Sequence, residues 1–288
     1  MLTSKLLATR LLLSRRPTTP AMSCENCFKG YILPGLPVGS IVHGDYYSPA
    51  ETPTDPKKAL ILLTDIFGLD LVNSKLLADY FAKTLAVDVW VPDLFDGHPP
   101  VTVDELEPIT PDRAGVTMPW GTTLRFLWLM IPRIFKFYAL RASLCDARVH
   151  ASIAKIKAEK GYDTIGAVGY CYGGAAAARL AGTDLVKTVV ITHPSVPSDE
   201  QVKAIKVPTS WACAEEDARF PSKHRDRVEA LLQARKQDGA PDATEFEFTV
   251  YKGTAHGFAA RPNLALPEIR EAFEGAREQA VQWFRKTL

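Results

Sequence analysis

The chain of 288 residues carries 34 Lys and Arg against 33 Asp and Glu, with 47% apolar and 23% charged residues. That is the composition of a globular protein rather than a disordered one, and a formal net charge of +1 offers no basic domain for bulk nucleic-acid binding. Five cysteines, an odd number in so long a chain, argue for reduced thiols rather than a disulfide scaffold.

The charge is unevenly placed. Residues 1–24 hold four bases (Lys5, Arg10, Arg15, Arg16) and no acid, which leaves 30 bases against 33 acids for the remainder. Leucines fall between the bases, and an amphipathic, Arg-containing, acid-free start has the pattern of a mitochondrial transit peptide. Met22 also stands before a second plausible start. Residues 1–24 are therefore expected to be a leader and residues 25–288 the body, in the mitochondrion or the cytoplasm. The apolar run is too short and too interrupted to span a bilayer.

Residues 30–33 and 41–47 read as a short antiparallel pair, and residues 48–58, rich in Pro and Thr, as a surface loop. Residues 59–64 form a continuous apolar run, the signature of a strand buried on both faces. Helical spacing follows over 74–85, then a second buried strand over 87–91. Downstream the alternation repeats: a helix over 144–159, a strand over 164–169, a helix from 173, and strands over 188–192, 209–213 and 245–251. Helices near 222–236 and 267–286 complete it. Strand and helix in alternation imply an α/β fold, a mostly parallel central sheet with helices on both faces.

Residues 99–141 interrupt the pattern. They begin Pro-rich and then crowd Trp120, Phe126, Trp128, Phe135, Phe137 and Tyr138 among Arg125, Arg133 and Lys136, with no acid between Arg113 and Cys145. A lid-like cap, a membrane-surface helix and a packed connecting helix all fit. An insertion in such a sheet most often lies above the strand C-termini, where ligands bind, which favours the cap.

Gly169-Tyr170-Cys171-Tyr172-Gly173-Gly174 follows one predicted strand and opens a predicted helix, the setting of a nucleophile elbow. The helix N-terminus favours negative charge on a thiol; a structural cysteine in a Gly-rich turn would give the same hexapeptide. In α/β-hydrolases the chain order is nucleophile, acid, histidine. Asp217 follows the strand at 209–213, and His256 follows the strand at 245–251. Glu215 and Glu216 are rivals for the acid, and His193, just past another strand, is placed to line a pocket. No metal-ligand spacing appears, and Cys24-x-x-Cys27 lacks a second pair.

These residues, with Asp65-Ile66-Phe67-Gly68, Val91-Pro92-Asp93-Leu94-Phe95 and His256-Gly257-Phe258 followed by Arg261, resemble the dienelactone hydrolase family, in the style of its fungal members. The resemblance runs from about residue 28 to the C-terminus. It implies a single α/β-hydrolase domain, free of cofactor and metal, that cleaves lactones or small esters through Cys171, His256 and Asp217. It also implies an oxyanion hole from the backbone N–H groups of Ile66 and Tyr172. Bacterial members carry a Glu where Asp65 stands, and it restrains the thiol until an anionic substrate arrives. Asp65 is shorter, and Arg261 lies one residue further from the histidine, within reach of a substrate carboxylate. Arg113, Arg125 and Arg133 are candidates for a second substrate-binding base. The expected partner is a small lactone or ester, with no nucleic acid and no stable membrane span, in a monomer or homodimer. A hydrolase fold kept as a small-molecule binder is the alternative, and a redox thiol protein a third.

Overall fold

The structure is a computed structural model that describes residues 31–106, 109–133 and 141–288. The expected leader lies outside the described residues. Chain entry differs from expectation. Tyr31 to Leu33 form turns and bends rather than a strand, and the stretch at 41–47 is itself a hairpin of β1 (Ser40–Val42) and β2 (Asp45–Ser48). His43 and Gly44 turn it with φ of 52° and 92°, the left-handed pair that a two-residue hairpin loop demands.

The remaining strands are β3 (Lys58–Leu63), β4 (Asp88–Val91), β5 (Thr164–Tyr170), β6 (Thr188–Thr192), β7 (Thr209–Glu216) and β8 (Phe246–Ala255). They form one eight-stranded sheet in the order β1-β2-β4-β3-β5-β6-β7-β8. The hairpin edge pairs antiparallel, and every pairing from β4 through β8 is parallel. This is the arrangement that alternating strand and helix implied.

Why the strands read as continuous apolar runs is visible in their two faces. On β3, Ala59, Ile61 and Leu63 enter one core while Leu60 and Leu62 enter the other; β6 splits likewise, Val189 and Ile191 against Val190. Side chains alternate across a strand, so burial on both faces requires every position to be apolar. Helices α1 (Val72–Leu85) and the C-terminal α8 (Pro267–Thr287) cover one face with Leu77, Phe81, Phe273 and Trp283. The other face takes α4 (Ala142–Lys160), α5 (Tyr172–Leu180) and α7 (Ser222–Gln237), through Ile153, Ala177 and Leu232 among others. A short α6 (Asp199–Lys203) closes that side with a Ser198 capping box.

The insertion supplies α2 (Val103–Leu106) and α3 (Trp120–Met130), which a 3-10 turn at Ile131–Arg133 ends. Pro119 precedes α3 and Pro132 lies in the terminating turn, both positions where a missing N–H is tolerated. A third apolar cluster of Phe67, Leu71, Val101, Leu106 and Ile109, packed with Phe126 and Leu129, ties the insertion to the loop after β3.

Candidate active site

Four loops converge beyond the carboxyl ends of the parallel strands, the usual place for a site in an α/β sheet. Between β5 and α5 the turn is so tight that only glycine fits on either side. A Cβ on Gly169 would stand 2.2 Å from the Gly173 carbonyl oxygen, and one on Gly173 would stand 2.2 Å from that of Leu63. Between them Cys171 has φ 54° and ψ −110°, a conformation that costs a non-glycine residue free energy and concentrates at functional sites. The strain is held by hydrogen bonds from Cys171 N to Thr192 O (3.1 Å) and from Gly173 N to Thr64 O (2.9 Å). Cys171 is thereby set at the N-terminal end of α5.

His256 stands immediately after β8, its Nε2 3.0 Å from Cys171 Sγ. Its other nitrogen, Nδ1, is 2.9 and 2.8 Å from the two carboxylate oxygens of Asp217. Asp217 follows β7, and its Oδ1 also accepts from the backbone N–H groups of Arg219 (2.7 Å) and Phe220 (3.1 Å). The carboxylate is buried and fully engaged, so it fixes the ring. Burial alone would push the His256 pKa down; the negative charge at Cys171 and the bonds to Asp217 outweigh it and raise the value to about 10. His256 is thereby held between a sulfur and a carboxylate. Burial pushes the thiol of Cys145 up to about 11 and that of Cys213 up to about 12.

The rival acids lie elsewhere. Glu215 accepts from Lys252 Nζ (2.8 Å) and Gly253 N (2.7 Å), and Glu216 accepts from Gly115 N (2.7 Å). Asp65 is buried and accepts from Phe67 N (3.1 Å) and Arg261 Nε (3.0 Å). Burial pushes its carboxyl up, against the pull of the Arg261 guanidinium. That guanidinium also stacks 4.8 Å above the Phe67 ring. Asp65 and Arg261 thus form a buried pair beside the site, with no hydrogen bond from Asp65 to Cys171 among the described residues.

His193 is fully buried with φ 35°, its ring edge-on to His256 at 5.1 Å. Neither ring nitrogen has a hydrogen-bond partner among the described residues. Burial, then the charges of His256 and Arg261, hold its pKa well below the ordinary value. It backs the catalytic-type histidine rather than lining the cavity.

That cavity has a volume of about 590 Å³, the size of a small-molecule pocket. Cys171, His256, Ile66, Tyr172 and Arg261 line its floor, and Leu106, Ile109, Met118, Thr122, Thr123 and Phe126 of the insertion line its roof. Arg113, Arg125 and Arg133 do not line it: Arg113 is 3.6 Å from Asp112, Arg125 is exposed on α3, and Arg133 pairs with Glu105. Arg219 does line it. Sequence reasoning passed over that residue, although its position two residues past Asp217 was the available signal. Among the described residues no group of His, Cys, Asp and Glu is arranged to hold a metal ion.

A parallel sheet, a strained cysteine elbow and a histidine and acid on the two later loops define an α/β-hydrolase. The model of the dienelactone hydrolase family matches residues 46–288, and the chain belongs to that family. Hydrolase pyvD of Aspergillus violaceofuscus is 30% identical over 272 residues, 93% of this chain and 98% of its own. Hydrolase tropI of Talaromyces stipitatus is 28% identical, covering 93% and 97%. A carboxymethylenebutenolidase homolog of Rattus norvegicus is 27% identical, covering 83% and 86%. Among solved structures, a putative dienelactone hydrolase from Klebsiella pneumoniae superposes with a TM-score of 0.61 over 84% of this chain and 92% of its own. At 17% identity that is a likeness of fold. The chain is a hydrolase acting on ester or lactone bonds.

Proposed function

We propose that Cys171 is the nucleophile of an acyl transfer, with His256 as its proton carrier and Asp217 as the residue that orients the histidine. The observation that carries the reading is the unbroken line from Cys171 Sγ through both ring nitrogens of His256 to the Asp217 carboxylate. Thiolate sulfur attacks the carbonyl carbon, and the π electrons move to the carbonyl oxygen. The backbone N–H groups of Ile66 and Tyr172 receive that oxyanion; both residues line the cavity beside Cys171, and Tyr172 opens α5, at the positive end of the helix. Two preorganised donors of this kind lower such a barrier by several kcal/mol.

Collapse of the tetrahedral species breaks the carbon–oxygen bond. His256 Nε2–H protonates the departing alkoxide, which leaves as an alcohol or, for a lactone, stays attached to the acyl group. Neutral His256 then takes a proton from water, whose oxygen attacks the thioester. The second collapse releases the acid, and the sulfur and imidazolium return to their resting pair. Throughout, Asp217 accepts from Nδ1–H, which keeps Nε2 facing the sulfur and stabilises the cation.

The cavity lining supports a substrate class. Its roof is mostly apolar, and its bases are Arg261, held by Asp65, and Arg219 at the rim. A small lactone or ester with an apolar acyl or aryl part fits this lining. The experiment is a panel of p-nitrophenyl esters and small lactones turned over by wild type and Cys171→Ala. Loss of hydrolysis in the variant, with the fold intact by circular dichroism, is expected; undiminished turnover would dismiss Cys171 as the nucleophile.

A further inference from the structure

His193 is a buried group that the chemistry at Cys171 leaves without a task. It stands just past the carboxyl end of β6, where the backbone enters the left-handed region at φ 35°, a conformation that costs a non-glycine residue free energy and concentrates at functional sites. Two hydrogen bonds hold that turn. His193 N donates to Ala212 O of β7 (2.9 Å), and the carbonyl of the preceding Thr192 accepts from Cys171 N (3.1 Å). The backbone that fixes the nucleophile therefore runs directly into the residue whose ring meets the base.

That ring touches both loops of the site. Its centroid lies 6.1 Å from that of Tyr170, the residue before Cys171, and 5.7 Å from that of Phe258, two residues after His256. It meets the His256 ring itself edge-on at 5.1 Å. Neither of its nitrogens has a hydrogen-bond partner among the described residues, so packing seats the ring, and its shape is what reaches His256. The Asp217 carboxylate grips His256 at Nδ1 alone. An imidazole gripped at one nitrogen can rock about that point, and rocking carries Nε2 off its 3.0 Å approach to Cys171 Sγ. We propose that His193 is a positioning residue for acyl transfer, a packed ring that holds the His256 imidazole in line with Cys171 Sγ. It does not line the cavity, so it acts through His256 and not on the substrate. The charged and titratable groups that face it are His256, Arg261 and Tyr170. Burial and the two cations keep it neutral, so it brings no positive charge against the imidazolium of His256. The inference rests on the Cys171–His256 reading.

Two measurements on the full chain test it: steady-state kinetics with p-nitrophenyl acetate, and the rate at which iodoacetamide alkylates the Cys171 peptide at one fixed pH. A misplacement of about 1 Å costs on the order of a hundredfold in rate. His193→Ala opens room beside His256 and is expected to lower kcat about a hundredfold while KM stays within about twofold. Alkylation of Cys171 should slow about tenfold in the same variant, since a displaced imidazole no longer takes the sulfur's proton. His193→Phe restores a ring without nitrogens and should return kcat to within about fivefold of wild type. His193→Asn, whose side chain tolerates the left-handed turn but carries no ring, should behave as His193→Ala and replaces it if that variant does not fold. The proposal is overturned if kcat of the Ala and Asn variants matches wild type, if their loss lies in KM alone, or if His193→Phe is no faster than His193→Ala. It is overturned equally if neither the Ala nor the Asn variant folds by circular dichroism, which would make the residue structural. Full turnover by Cys171→Ala would bring down the Cys171 reading and this inference with it. An inactive Cys171→Ala beside a fully active His193→Ala brings down this inference alone.

Discussion

At the scale of single residues, the site depends on three side chains whose roles separate cleanly under substitution. Cys171→Ser keeps the elbow but replaces a sulfur by a hydroxyl that needs stronger base assistance, and kcat is expected to fall at least about a thousandfold. Asp217→Asn preserves shape yet presents an amide that can donate to Nδ1 and favour the wrong tautomer, for a loss on the order of 10⁴ in kcat. Both are read by steady-state kinetics beside an unchanged circular dichroism spectrum. The raised pKa of His256 also has a stability signature. A group whose folded pKa exceeds its unfolded one stabilises the fold fully below the lower value and loses that contribution as pH rises through the higher. For His256 the window runs from 6.5 to about 10. Urea unfolding should show the advantage of wild type over His256→Asn largest below pH 6.5 and gone above about pH 10.

At the scale of elements, the elbow and the buried Asp65–Arg261 pair are where the local fold is most exposed to change. Gly173→Ala would push a methyl group to 2.2 Å from a backbone oxygen of β3, so β3, β5 and α5 must part. A loss of about 3 kcal/mol or more is expected by urea denaturation. Arg261→Met would leave the Asp65 carboxylate buried without its cation, and removing one partner of such a pair costs about 3–5 kcal/mol. Asp65→Asn in the same chain should recover part of that loss, because the orphaned charge is then absent. The elbow was legible in the sequence because glycines and cysteine at that spacing leave few other structures. The Asp65–Arg261 pair was not, since the two residues stand 196 positions apart and only the sheet brings them together.

At the scale of the whole molecule, the parallel sheet was legible because burial on both faces writes unbroken apolar runs into β3, β5 and β6. The first strand was misplaced for the opposite reason. Residues 31–33 are apolar enough to suggest an edge strand, but the hairpin closes within 40–48 around His43 and Gly44, leaving them nothing to pair with. The roof of the cavity was foreseen only as an insertion above the strand ends; which residues face inward depends on how α3 packs on Phe67 and Leu71. Phe126, like Leu106, Ile109 and Met118, both anchors the roof and meets the cavity. Phe126→Ala should therefore lower kcat/KM for aryl esters about tenfold relative to acetyl esters, through KM more than kcat.

The central claim is a covalent acyl-enzyme on Cys171, and rapid acid quench followed by intact mass and peptide mapping tests it most directly. With p-nitrophenyl butyrate as substrate, the account expects one butyryl group per chain on the peptide that contains Cys171, and none in Cys171→Ala. Turnover at full rate with no acyl group on Cys171 at any quench time, or an acyl group that settles on another residue, would contradict it.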